Sequence, residues 1–326
     1  MGKIVYTDGT GIPPRNFDDE FLTHKQSSEW WYCTGYLEDG AGALFAYQFT
    51  LAKVNIFGVK FRILITSLTD FRTNTHYNTQ TPIFFNKGVT TTAELLSVDG
   101  KTRMTFAPNE HSAKGKMHLE MQSGVFSIDV DMEAIKPPVR HCDDGVLQMG
   151  IPGDKERTYY FSFTNLATRG SLTIKDEKFQ NLQGKTWFDR QGGTYTLTDG
   201  RTCWEWFSLR FFDDTEAMLF AFPQDDYYDG THIGAGGSYQ RMNDYKLEAT
   251  DVVEYKGREF SNGWNLEMNG KKYVLTPKAD GMFNVFFFEL LADVKDESGR
   301  LLGYCFVELL PGVRNKTSAL DAFRRK

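Results

Sequence analysis

The sequence predicts an all-β fold built from two similar antiparallel domains, each closed into a barrel. Three observations carry that prediction. The apolar residues fall in short aromatic and β-branched runs set apart by turn signals. Aromatic residues make up 15% of the chain, with 27 Phe, 15 Tyr and 6 Trp, and flat bulky side chains suit a pleated sheet. Convincing helical periodicity is nearly absent.

In chain order, the runs are "ALFAYQFTLAKV", "VKFRILITSLTDF", "RTYYFSFTNL", "TCWEWFSLRFF", "EAMLFAF", "NVFFFELLADV" and "LGYCFVELL". The turn signals between such runs include "EDGAG", "SVDGK" and "DESGR", at hairpin spacing. Residues 167–185 read as short strands mixed with turns, and the expected domain boundary falls there, giving domains 1–175 and 176–326. An internal echo supports two domains. "EWWYCTGYLEDGAGALFAY" at 29–47 and "EWFSLRFFDDTEAMLFAF" at 205–222 both run Glu-Trp-aromatic, acidic turn, Leu-Phe-Ala-aromatic. Closing each sheet removes exposed strand edges. After Pro311 the tail "TSALDAFRRK" predicts one or two helical turns capped by Thr317 or Ser318.

Composition excludes several function classes. The net charge of −6 and pI near 5.6 argue against a nucleic-acid surface. No apolar run reaches the roughly 18 residues of a membrane-spanning helix. The N-terminus has no signal-peptide core, so the expected location is cytoplasmic. Cys33, Cys142, Cys203 and Cys305 are far apart and read as reduced thiols. The six histidines show neither HxH nor HExxH spacing, and "HCDDG" at 141–145 lacks partners, so no metal is expected. With no GxSxG elbow, Walker lysine or dinucleotide fingerprint, the chain is expected to use no cofactor.

The candidate chemistry starts from charge in an apolar strand. Residues two apart share a face, so Glu29 lies with Trp31 and Cys33, and Glu205 with Phe207, Leu209 and Phe211. A buried carboxylate needs a cationic or hydrogen-bonding partner, or stays protonated. A protonated one is a general acid, whereas an arginine-paired one is an anchor. In "LQGKTWFDRQGGTY", 182–195, Asp189 and Arg190 point to opposite faces, and Arg190 is the natural partner for a glutamate. It serves either a structural tie or a clamp on a substrate carbonyl. Gly192-Gly193 would let the backbone approach a ligand or make a turn, and the turn is the expectation. The segment 222–245 collects Asp226, Tyr227, Tyr228, Asp229 and His232 in what reads as a long lid loop, adding Tyr228 and His232 to the candidates. Trp30, Trp31, Tyr32, Trp187, Trp204, Trp206 and Phe207 are the candidate walls of an apolar pocket.

"SSEWWYCTGYL", "TWFDRQGG", "CWEWFSLRFFDD" and "GYCFVELLPG" together resemble the lipocalin-like family of AttH-type proteins and carotenoid 1,2-hydratases. Fungal kievitone-type hydratases and, more distantly, decalin-forming Diels–Alderases look similar. The resemblance runs from about residue 15 to 313. It implies two lipocalin-like barrels, an apolar terpenoid, polyketide or flavonoid-type ligand, and no organic cofactor. The sequence departs from the carotenoid hydratase pattern, because the positions of its histidine and tryptophan hold Arg190 and Gly192. The tyrosine and aspartate expected near 219–223 are missing too.

These readings converge on a cofactor-independent lyase or isomerase of secondary metabolism acting at a polarised C=C bond. Hydration, dehydration or ring closure needs an acid, a base and shape. A pericyclase and a non-catalytic carrier are the alternatives. The expected partner is an apolar small molecule, with no nucleic acid or membrane, and the oligomeric state stays open.

Overall fold

The computed structural model describes residues 20–24, 28–56, 59–142, 145–149, 156–194, 204–223, 225–255, 258–283 and 287–310. Among these the regular elements are antiparallel strands. The first thirteen are β1 (Ser28–Glu38), β2 (Leu44–Ile56), β3 (Val59–Asp70), β4 (Thr75–Ile83), β5 (Val89–Thr91), β6 (Leu95–Val98), β7 (Thr102–Ala107), β8 (Lys116–Gln122), β9 (Phe126–Ala134), β10 (Val139–Arg140), β11 (Val146–Gln148), β12 (Arg157–Ile174) and β13 (Glu177–Thr194). They are followed by β14 (Trp204–Phe211), β15 (Glu216–Phe222), β16 (Tyr227–Ile233), β17 (Tyr239–Arg241), β18 (Lys246–Ala249), β19 (Val252–Tyr255), β20 (Arg258–Ser261), β21 (Trp264–Met268), β22 (Lys271–Pro277), β23 (Met282–Phe283), β24 (Phe288–Asp296) and β25 (Leu301–Leu310).

The sequence makes strands of two kinds. In β9, Phe126, Ile128, Val130, Met132 and Ala134 are buried while Asp129, Asp131 and Glu133 are exposed, the alternation of a sheet with one wet face. In β14 and β15 every residue is buried, so both faces are covered. The turns follow the predicted chemistry. Asp39 Oδ1 accepts from the amides of Ala41 and Ala43 at 2.8 Å each, closing the β1–β2 hairpin. Asp99 and Gly100 both take positive φ (50° and 67°) between β6 and β7, as a tight hairpin turn of matching twist requires.

Two compact units emerge, Met1–Arg140 with Tyr159–Thr194, and His141–Thr158 with Tyr195–Lys326. The fold is all-β, with two curled lipocalin-like sheets. The first runs β4-β3-β2-β1-β13-β12-β9-β8-β7-β6-β5, with β10 and β11 on β12. The second runs β17-β16-β15-β14-β25-β24-β22-β21-β18. The orders match: in both sheets the first strand lies between its own hairpin partner and the last strand of that sheet. Each unit has its own aromatic core, centred on residues such as Phe49, Phe163 and Phe188 in the first and Phe207, Trp264 and Phe288 in the second. Fully burying one such side chain contributes about 1.5–3 kcal/mol.

Four expectations need correction. Residues 167–185 are not short strands: β12 and β13 form a hairpin of two 18-residue strands turning at Lys175. The expected division at 175 falls inside that hairpin, whose second strand is held to the first unit by pairing with β1 from Ser28↔Gly193 to Glu38↔Gln183. Much of 222–245 is the β16–β17 hairpin, with Tyr239 opposite Ile233, rather than a lid loop. The sequence echo holds for its Glu-Trp half only. Leu44 stands opposite Glu38, but Leu219 stands opposite Phe207, because the second hairpin is shorter. The expected C-terminal helical turns lie outside the described residues.

Candidate functional site

Strand register assembles the site. Directly opposed residues share a face. Lys53 stands opposite Glu29, Arg62 opposite Lys53, and Gly192 opposite Glu29 on the other side. The next row on that face is Leu64, Leu51, Trp31 and Arg190. Three cations and a carboxylate therefore converge on one aromatic face of the first unit.

Glu29 is wholly buried and is the hub. Its Oε2 accepts from Arg190 Nη2 at 2.6 Å and from the His24 amide at 2.9 Å, and its Oε1 pairs with Lys53 Nζ at 2.8 Å. Burial alone would raise its pKa. Arg190, His24 and Lys53 outweigh that and hold the carboxyl well below the usual range, so it stays ionised. Arg190 is fixed further by the carbonyls of Glu20 (2.8 Å), Leu22 (2.7 Å) and Trp30 (3.2 Å), and its guanidinium carbon lies 3.9 Å from the Trp31 ring centroid.

Beside this hub sits a proton-handling pair. His24 Nδ1 and the Tyr159 hydroxyl are hydrogen-bonded, with the two rings edge to face at 4.6 Å between centroids. Burial and then Arg190 push the His24 pKa down to about 4, so the imidazole is neutral near pH 7. Burial pushes the Tyr159 phenol well up, opposed by Arg190. Gly192 makes room for the pair: a Cβ there would lie 2.7 Å from the Tyr159 oxygen and 2.6 Å from the Glu29 Cβ. The Gly192-Gly193 pair is thus part of strand β13 rather than the expected turn, because two large side chains close over it.

The other candidates are dispersed. Asp189, on the opposite face of β13, accepts from Tyr160 (3.0 Å), Trp187 Nε1 (2.5 Å) and Ser162, the arrangement of a structural carboxylate. Trp30 is half-buried and Tyr32 buried, both facing away from Trp31. In the second unit Glu205 accepts from Ser261 Oγ (2.8 Å) and Trp264 Nε1 (3.1 Å). Glu29 and Arg190 belong to the first unit and Glu205 to the second. Trp204 and Trp206 are buried, Trp204 donating to Glu308 at 2.9 Å, and Phe207 packs edge-on against Trp264 at 5.3 Å. Tyr228 packs against Tyr245, and His232 lines a separate cleft of about 1080 Å³ with Phe212, Lys271, Tyr273 and Arg300.

Register also shows why the two glutamates differ. The row through Glu205 reads Tyr228, Ala221, Glu205, Leu309, where the first unit has Arg62, Lys53, Glu29, Gly192. Val307 stands opposite Phe207 where Arg190 stands opposite Trp31. The equivalent positions have kept the carboxylate and exchanged the cations.

Sequence reasoning missed His24, Lys53, Arg62 and Tyr159. The signal that singled out Glu29, a charge inside an apolar run, was also present for Lys53 in "TLAKV" and Arg62 in "VKFRILI". His118, Glu120 and Asp129 also come together across β8 and β9, their ligand atoms within 4.8 Å. Among the described residues they are the group able to hold a metal ion. His118 Nδ1 pairs with Asp131 at 2.8 Å, and Arg169 faces Asp131, as on an ordinary solvated face. No helix of the described residues is long and apolar enough to cross a membrane.

The AttH-like family profile matches residues 11–311. Among solved structures, an AttH-type protein from Nitrosomonas europaea is similar at a TM-score of 0.79 and 16% identity, covering 95% of this chain and 99% of its own. Kievitone hydratase from Nectria haematococca is similar at a TM-score of 0.70 and 18% identity, over 94% and 97%. CghA, solved with Sch210972, gives a TM-score of 0.54 at 9% identity over 87% and 88%. The search of curated proteins found no match.

Proposed function

Since the chain belongs to the AttH-like family, we propose that it is a cofactor-independent lyase or isomerase acting at a polarised C=C bond of an apolar small molecule, with its chemistry in the first unit. The observation that carries this reading is the neutral His24 imidazole hydrogen-bonded to the Tyr159 phenol beside Arg190. In a hydration, water adds its oxygen to the electron-poor carbon and a proton arrives at the other. Tyr159 gives the proton, Arg190 steadies the phenolate that forms, and His24 accepts the proton released by water and returns it to Tyr159. No electron is gained or lost overall. Glu29 touches neither carbon in this scheme. It is a positioning residue, holding the His24 amide and the Arg190 fork.

A hydratase and a protein bound to a small molecule among the similar structures support this reading. The test is turnover of a panel of isoflavonoid and polyketide enones in oxygen-18 water, with wild type and Tyr159→Phe. Labelled product from the wild type, with a variant rate about 10²–10⁴-fold lower, is the expected result. Product without label points to ring closure. Tight binding with no product points to a carrier.

A further inference from the structure

Arg62 stands apart among the buried cations of the first unit. It is 3% exposed, and its hydrogen bonds go to neutral groups, Nε to Asn86 Oδ1 at 2.9 Å and Nη2 to Thr23 Oγ1 at 3.1 Å. Its neighbour in the row is another cation, Lys53. Glu29, one place further, favours the Arg62 charge from a distance, but its oxygens are taken by Lys53 at 2.8 Å and Arg190 at 2.6 Å. Buried arginines are ordinarily paired, because an uncompensated charge away from water is costly. The third nitrogen, Nη1, is buried and donates to nothing among the described residues.

A second donor lies beside it. Trp31 is fully buried, and its Nε1 also lacks an acceptor among the described residues. The Arg62 guanidinium carbon is 5.5 Å from the centre of the Trp31 ring, and the two residues occupy adjacent rows of one sheet face. Both groups only donate, and one carries a charge. What completes them is an acceptor with negative charge, and a planar guanidinium favours a delocalised one. Trp31 belongs to the apolar core, so the rest of the ligand is expected to be apolar.

We propose that Arg62 and Trp31 form a receptor for a delocalised oxyanion carried on an apolar body, such as a phenolate or the enolate that develops when water adds to an enone. This rests on placing the reaction in the first unit. It adds a substrate class, molecules bearing a conjugated oxygen, and gives Arg62 and Trp31 the role of holding that oxygen while His24 and Tyr159 move protons.

The experiment uses 4-nitrophenol as a coloured probe and benzoate as a carboxylate competitor, with the full chain as wild type, Arg62→Met and Trp31→Phe. In the wild type, bound nitrophenol should ionise at least about one pH unit lower than free nitrophenol, seen as phenolate absorbance. Arg62→Met should abolish that shift. Trp31→Phe should weaken phenolate binding about tenfold. Benzoate failing to compete assigns a phenolate-type oxygen, and full competition assigns a carboxylate instead and overturns the class proposed. Melting temperature supplies a control independent of binding. Because Arg62→Met also removes the bonds to Asn86 and Thr23, the melt serves to show that each variant is folded at the temperature of the titration. Identical probe ionisation in all three proteins means the two donors serve only water and overturns the proposal. Enone turnover of the same three proteins is read separately, so a receptor in a chain that turns over none of the enones refutes the enzyme reading alone. Turnover that survives Arg62→Met with unchanged ionisation refutes the receptor alone.

Discussion

Replacing Glu29 with glutamine keeps the shape of the hub and removes its charge. One carboxylate oxygen accepts from Arg190 (2.6 Å) and the His24 amide (2.9 Å), and the other is ion-paired with Lys53 (2.8 Å). The amide has one oxygen and an NH2, so whichever way it turns, its donors meet Arg190 or Lys53. Breaking a buried pair while leaving its partners in place costs about 3–5 kcal/mol. For a unit of this size that is about 6–20 °C in melting temperature. The effect has a pH signature. The folded pKa of Glu29 is depressed from an ordinary 4.5, so its stabilisation is complete above that value and is lost as pH falls below it. Thermal melts of wild type and Glu29→Gln from pH 8 to pH 3 should therefore differ by a constant amount down to about pH 5 and converge in acid. Equal stability at neutral pH, or a gap that stays constant into acid, refutes the anchor.

Three further outcomes follow from the same cluster. His24 has a folded pKa near 4 against an ordinary 6.5, so the unfolded chain binds the proton first. Stability should fall by about 3 kcal/mol as pH drops from 6.5 to 4, and urea titrations of His24→Gln should lack that component. Gly192→Ala places a Cβ 2.6 Å from Glu29 and 2.7 Å from Tyr159 and should cost about 1–3 kcal/mol in urea midpoint analysis. Asp189→Asn leaves one of its buried donors facing an amide nitrogen and should cost about 1–3 kcal/mol by the same measurement, with turnover retained in the protein that remains folded.

The sequence made the β architecture legible because its turns are mostly written in Asp and Gly, as at Asp39 and at Asp99-Gly100. Where a turn used another residue, the reading failed. Lys175 takes φ of 54° at the tip of β12–β13, a conformation that lysine rarely signals, and the long hairpin looked like fragments. Glu29 was legible as a misplaced charge and Arg190 as its natural partner. The His24–Tyr159 pair was not, since 135 residues separate them and sheet order, rather than any local spacing, brings them together.

The matched rows through Glu29 and Glu205 place different limits on sequence drift in the two units. Around Glu205 the flanking positions are Ala221, Leu309 and Val307, where exchange is limited by volume and one apolar residue can replace another singly. Around Glu29 the flanking Lys53 and Arg190 are limited by charge balance, so a change at either needs a second change to accompany it. Relatives that work on different molecules can therefore differ freely in the second row while crossing from one set of charges to another in the first by paired steps.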